Sequence, residues 1–116
     1  MDVKNKRVVV TGAASGIGKA LCEAFHHAGA ESVIAVDMNL DGAQETADSV
    51  NGIAVQANVG NEKDIINVIQ KADDHVGGTD IFCSNAGIGG VPGFFEVEAS
   101  DWQNIWDVNV QSHIFA

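Results

Sequence analysis

Apolar residues follow two alternating patterns along this chain. Short continuous runs occur at Arg7–Val10 (RVVV), Ser32–Asp37 (SVIAVD), Ile53–Gln56 (IAVQ) and Asp80–Ser84 (DIFCS). Such runs predict strands covered on both faces. Between them, apolar positions recur every three or four residues, which predicts helices with one buried stripe. The first stripe is Ile17, Leu21, Phe25 and Ala28, with Ala20 and Ala24 as small neighbours and Gly29 as the stop. The second is Leu40, Ala43, Ala47 and Val50, capped by Asn39 and ended by Gly52. The third is Ile65, Val68, Ile69, Ala72 and Val76, capped by Asn61 and stopped at Gly77-Gly78. A glycine-rich segment then leads to about Ala99. Ser100 and Gln103 form an S-x-x-Q capping box for a last helix, with Trp102, Ile105, Trp106 and Val110 on its apolar side.

Strict β/α alternation over 116 residues predicts one α/β domain, residues 1–116, built on a mostly parallel sheet with helices on both faces. In the doubly wound, Rossmann-type arrangement the strand order is 3-2-1-4 with right-handed crossovers. The final stretch, DVNVQSHIFA, reads as a helix interior without a glycine cap, proline or closing basic residue. It is therefore expected to be a cut through a larger sheet. The apolar strand IFC would then offer an open edge to a strand-pairing partner.

Composition narrows the function. Hydrophobic residues make up 46%, enough for a packed core, yet no apolar run approaches the roughly 20 residues of a membrane span. The opening MDVKNKRVVV lacks the features of a secretory signal. A cytoplasmic protein is expected. Sixteen acidic against six basic side chains leave a net charge of -10. That balance disfavours nucleic acid and anionic membranes as partners. Any anionic ligand must be held by local backbone groups. Cys22 and Cys83 are read as reduced, buried thiols, and the four histidines have no metal-ligand spacing. His26 and His27 suit a helix C-terminus.

The segment TGAASGIG, Thr11 to Gly18, joins the first strand to the first helix. Gly12 permits a tight turn, Gly16 lets backbone approach a pyrophosphate, and Gly18 lets helix pack on strand. The amides and dipole at the helix start then hold the anion without a basic side chain. Asp37 ends the second strand, 19 residues after Gly18. There a carboxylate accepts from both hydroxyls of an adenosine ribose and repels a 2′-phosphate. No Lys or Arg lies in Ala13–Ser15 or directly after Asp37. NAD is expected over NADP. The competing readings are a plain tight turn and a turn-capping aspartate.

With these residues in place, the chain resembles the short-chain dehydrogenase/reductase family along its whole length. TGAASGIG fits the family's T-G-x-x-x-G-x-G loop at every fixed position. Asn85-Ala86-Gly87 resembles the N-N-A-G element, with Ser84 in place of its first Asn. Asn58-Val59 stands where the family has Asp-Val, and Asp107–Val110 (DVNV) resembles the segment with the active-site asparagine. The resemblance implies that Gly12, Ser15, Gly16, Ile17 and Gly18 line the pyrophosphate site. It implies that Asp37 and Met38 meet the adenosine, and that Asn58 and Val59 flank the adenine. The family's Asp accepts from the adenine amino group, and Asn58 could accept through its amide oxygen. Asn85, Ala86 and Gly87 would support the nicotinamide side. For Asn85, bonding of loop backbone competes with direct cofactor contact. Asn109 would hold a water in a proton relay, against the alternative of a half-exposed helix residue.

By the same resemblance the reaction is hydride transfer between the nicotinamide and an alcohol or carbonyl carbon, with a serine and a Tyr-x-x-x-Lys pair supplying the acid-base chemistry. The sequence contains no tyrosine. The chain is therefore expected to be the N-terminal, NAD-binding part of such an enzyme and catalytically incomplete alone. The alternative is a natural short module that binds a dinucleotide or a partner without catalysis. Phe94 and Phe95 could face an apolar substrate or pack the loop. Trp102 and Trp106 could serve a homo-oligomer interface, with one of them expected in the core.

Overall fold

The computed structural model describes residues 2–90, 93 and 95–116. Four strands, β1 (Arg7–Thr11), β2 (Ser32–Asp37), β3 (Ile53–Gln56) and β4 (Ile81–Cys83), form one parallel sheet in the order β3-β2-β1-β4. Val9 of β1 pairs with Ile34 on one side and Phe82 on the other. The expected doubly wound order is thus present.

The sheet explains its own continuous apolar runs. Val8, Val10, Val33 and Ala35 point to one face and pack with Cys22, Ala47 and Val50. Val9, Ile34, Val36 and Val55 point to the other and pack with Val68 and Ala72. Alternate residues of one strand feed different cores, so every position must be apolar.

Helices α1 (Gly16–His27), α2 (Leu40–Ser49) and α3 (Glu62–Val76) supply the covering layers. The caps Asn39 and Asn61 act as expected, accepting from the Gly42 and Lys63 amides. Gly77 takes a left-handed conformation after α3. Three stripe assignments need correction, the first being Ala28, which is exposed at the C-cap of α1. Ile17 is 73% exposed, because the first turn of α1 rises past the strand ends where no layer covers it; Gly18 and Cys22 are the buried positions. Leu40, likewise in a first turn, is largely exposed. Buried Thr46 instead donates to the Ala13 carbonyl at 2.8 Å and ties α2 to the glycine loop.

The last helix starts earlier than its predicted cap. α4 spans Ala99–Trp106, and the cap is Glu98, whose amide donates to Asp101 Oδ2 at 2.9 Å. A carboxylate is the stronger acceptor, so the box is Glu98/Asp101 rather than Ser100/Gln103. A π-helical turn, Asp107–Gln111, follows, then α5, Ser112–Phe115. The buried side of this rod is Val108 and Ser112, with Phe115 half-buried, set against Val59 and Ile65. Trp102 and Trp106 are both more than half exposed and Val110 is exposed, so neither tryptophan is core. Phe95 is exposed, and Phe94 lies outside the described residues.

At the far end of the sheet Arg7 and Asp80 lock β1 to the start of β4. Arg7 Nε and Nη2 donate to the two carboxylate oxygens at 2.8 and 2.9 Å, the Arg7 amide adds a third bond at 2.9 Å, and Nη1 donates to the Gly77 carbonyl. These bonds hold the Asp80 carboxyl well below the usual carboxylate range. A depressed folded-state pKa stabilises the fold above the unfolded value of about 4 and loses that contribution as pH falls below it. Urea midpoints measured from pH 6 to pH 2 should therefore fall less steeply for Asp80→Asn than for the parent chain, and equal slopes would refute the assignment.

Candidate functional site

The predicted residues meet at the C-terminal ends of the strands. Three adjoining hollows form one groove there. One, about 630 Å³, is lined by Ser15, Gly16, Ile17, Gly18, Asn85 and Gly87 among others. The next, about 450 Å³, shares Gly12, Asp37, Ala86 and Gly87 with it and adds Met38, Asn58 and Val59. The third, about 440 Å³, continues past Met38 and Asn58 to Gln56 and Asp64.

The glycine loop is shaped by backbone contacts. Gly12 has φ +71° and passes so close to β4's exit that an added Cβ would lie 2.9 Å from Ala86 Cα. Gly18 allows the helix to touch the turn itself: a Cβ there would lie 2.0 Å from the Gly12 carbonyl oxygen. Gly16 is different. A Cβ on it would meet no atom within 4 Å among the described residues, so its bareness serves the open groove. Ser15 caps α1 through its extended backbone alone, without a side-chain cap bond. Ser15 and the residues opening α1, Gly16, Ile17 and Gly18, thus line the first hollow, with no acidic side chain in the first turn to oppose an anion.

Asp37 does two jobs. Its Oδ2 accepts from the Ala14 amide and its Oδ1 from the Asn39 amide, both at 3.0 Å. The turn-capping role is therefore real. Each oxygen still keeps a lone pair for a ligand hydroxyl. Asn58 accepts from the Gly60 amide through Oδ1 at 3.0 Å, and its own amide donates to Asp64 Oδ2 at 2.9 Å. Val59 is buried behind it.

Asn85 bonds backbone, as one of its two readings holds: Nδ2 donates to the Thr11 carbonyl at 2.9 Å. Thr11 is the residue the sequence reading missed. Its buried hydroxyl accepts from the Asn85 and Ala86 amides at 3.0 Å each and donates to the Cys83 carbonyl at 3.3 Å. It fixes the loop after β4 to the end of β1. The signal was present in the Thr preceding Gly12, but its partner lies 74 residues away.

Asn109 sits in the π-helical turn and pairs doubly with Ile88: Oδ1 accepts from the Ile88 amide and Nδ2 donates to the Ile88 carbonyl, each at 2.8 Å. It is half-buried, with Gly87 close beside Oδ1. The wide turn is supported next door, where Ser112 donates its hydroxyl to the Val108 carbonyl at 2.6 Å. Asn109 therefore anchors the loop after β4 to the last helix; it lines none of the three hollows itself, while its partner Ile88 and its neighbour Val108 border the same hollow as Asn58. Burial pushes the Cys22 thiol up to about 11 and that of half-buried Cys83 upward too, so both stay protonated at neutral pH. Among the described residues no cluster of three or more His, Cys, Asp or Glu could hold a metal, and no helix is long and apolar enough to cross a membrane.

The family model described as short chain dehydrogenase matches residues 6–116. The chain belongs to the short chain dehydrogenase family. Glucose 1-dehydrogenase 2 of Bacillus subtilis is 35% identical over 115 residues, covering 94% of this chain and 45% of the relative. A short chain dehydrogenase of Claviceps purpurea is 30% identical over 115 residues, covering 95% and 44%. The crystal structure of a short-chain dehydrogenase/reductase described as a glucose/ribitol dehydrogenase, from Brucella melitensis, superimposes with a TM-score of 0.90 at 27% identity, over 99% of this chain and 50% of that one. The chain thus spans about half the length of the short chain dehydrogenases it matches.

Proposed function

We propose that this chain is the NAD-binding portion of an oxidoreductase that moves a hydride between a nicotinamide and an alcohol or carbonyl compound in the cytoplasm. The observation that carries the reading is the junction of the Gly12–Gly18 loop with Asp37 across one groove. The residues fit a dinucleotide. Ser15, Gly16, Ile17 and Gly18 would hold the pyrophosphate on unspent amides. Asp37 would take the adenosine ribose, with Met38, Asn58 and Val59 around the base. Asn85, Ala86 and Gly87 would border the nicotinamide ribose, with Asn85 acting through the Thr11 backbone. The bound nicotinamide supplies the hydride donor or acceptor.

Asn109 is the candidate for the proton relay. With both amide atoms on Ile88, it can hold a water through the second Oδ1 lone pair or the second Nδ2 hydrogen. The 116 residues contain no tyrosine, so no phenol within them can serve as acid or base. Turnover by the chain alone is not expected. The exposed apolar positions Trp102, Trp106, Val110 and Ile114 favour cover by a second copy, and the three-residue β4 favours a further strand beside it.

Calorimetric titration with NAD, run beside an assay for NAD reduction with small alcohols, tests this reading. Saturable binding without turnover is expected. No binding at millimolar NAD by a folded chain would overturn the cofactor assignment, and turnover would overturn the incompleteness. The non-catalytic module keeps the same binding result and differs only in the coding sequence after Ala116.

A further inference from the structure

A fully buried threonine on α2 bonds the glycine loop rather than its own helix. Thr46 lies on the buried side of α2 with Ala43 and Ala47, where an unbonded hydroxyl would be costly. A helix threonine commonly bonds a carbonyl one turn back. This one donates instead to the Ala13 carbonyl, 33 positions earlier, at 2.8 Å. The nitrogen of that same peptide unit, the Ala14 amide, donates to Asp37 Oδ2 at 3.0 Å. One rigid peptide plane therefore has the Thr46 hydroxyl at its oxygen and the Asp37 carboxylate at its hydrogen. Gly42 lets α2 come this close, since a Cβ there would lie 2.7 Å from Ala14 Cβ. The second carboxylate oxygen is held from the same helix: Asn39, the cap of α2, donates its amide to Oδ1 at 3.0 Å.

We infer that Thr46 is a positioning residue: by fixing the tilt of the Ala13–Ala14 peptide it sets the Asp37 carboxylate, and so tunes the preference for free ribose hydroxyls over a 2′-phosphate without touching the ligand. This rests on the dinucleotide reading above. Thr46 lines none of the three hollows. A carbonyl that accepts a hydrogen bond polarises the N–H of its own peptide, so the two bonds strengthen each other. Without the hydroxyl the buried carbonyl loses this donor, and the peptide tilts to recover one. The tilt carries the Ala14 hydrogen away from Asp37. The carboxylate is then held on one oxygen and swings off the place where it meets the ribose. The competing reading is a plain staple between α2 and the loop, which acts on stability alone.

Thr46→Val keeps the branched shape and removes the hydroxyl, whereas Thr46→Ser keeps the hydroxyl. The full chain and both variants are titrated calorimetrically with NAD and with NADP, and the Ala14 amide is followed by hydrogen exchange. In Thr46→Val that amide should exchange at least about tenfold faster, NAD should bind about tenfold more weakly, and the preference for NAD over NADP should narrow about fivefold. Thr46→Ser should return all three to within about twofold of the parent. If Thr46→Val does not fold, Gly42→Ala, which forces α2 off Ala14, should narrow the preference in the same direction. Equal weakening of NAD and NADP, or an Ala14 amide that exchanges as in the parent, overturns the inference. A parent chain that binds neither dinucleotide is a separate outcome: it removes the dinucleotide reading, and the effect on specificity with it, while the exchange rate still decides whether the peptide answers to Thr46.

Discussion

Gly18→Val should destabilise the chain by about 3 kcal/mol and remove dinucleotide binding with it. The added Cβ would lie 2.0 Å from the Gly12 carbonyl oxygen, 2.6 Å from its carbon and 2.9 Å from Asn85 Nδ2. The first two are backbone, which cannot swing aside as a side-chain tip would. The helix start must lift off the turn, and the turn is held in place by Ala13–Val36 and Asn85–Thr11 hydrogen bonds at 3.0 and 2.9 Å. Overpacking of this kind typically costs about 1–3 kcal/mol, and the backbone contact puts this case at the upper end. Gly16→Ala separates fold from site. Its Cβ would meet open groove, and the strain of φ +55° should cost about 1 kcal/mol while ligand affinity drops. Urea unfolding and calorimetry with NAD check both variants. A Gly18→Val chain within about 0.5 kcal/mol of the parent would contradict the packing account.

Asp37→Ala should weaken NAD binding by about 10- to 100-fold and leave NADP binding unchanged or improved. Hydrogen bonds to a charged acceptor contribute about 1.5–3 kcal/mol, and up to two ribose hydroxyls would be involved in the proposed site. The same carboxylate would repel a 2′-phosphate in a protein already at -10. Its loss also frees the Ala14 and Asn39 amides, both at the surface end of the sheet where water can replace the acceptor. The stability loss should therefore be smaller than the affinity loss. Parallel unfolding and binding measurements separate the two, and an equal fall in NAD and NADP affinity would show that Asp37 acts only on loop structure.

Sheet order, three helix caps and most of the groove were legible in the sequence because they rest on local rules. The runs at β1 and β2 are apolar at every position because both faces are buried, and Asn39, Asn61 and Gly77 end helices by chemistry within a few residues. What was not legible depends on distant partners. Thr11 earns its place only through Asn85 and Ala86, and Thr46 through Ala13. Helical spacing could not choose between two neighbouring stripes: Ile105, Val108, Ser112 and Phe115 turn inward while Trp102, Trp106 and Val110 stay out, a choice made by Val59 and Ile65 on distant elements. Ile17 fits a core stripe by spacing, yet its turn lies beyond the sheet, where the groove opens. Asn109 was legible by type, while its hold on Ile88 was not.

In the proposed function, the glycine loop and Asp37 together form a site for a dinucleotide with free ribose hydroxyls. The most direct measurement is the pair of dissociation constants for NAD and NADP with the unmodified chain, taken at one ionic strength. NAD should bind at least about tenfold more tightly, the worth of one charge-assisted hydrogen bond. NADP binding as tightly as NAD, or more so, would contradict the account.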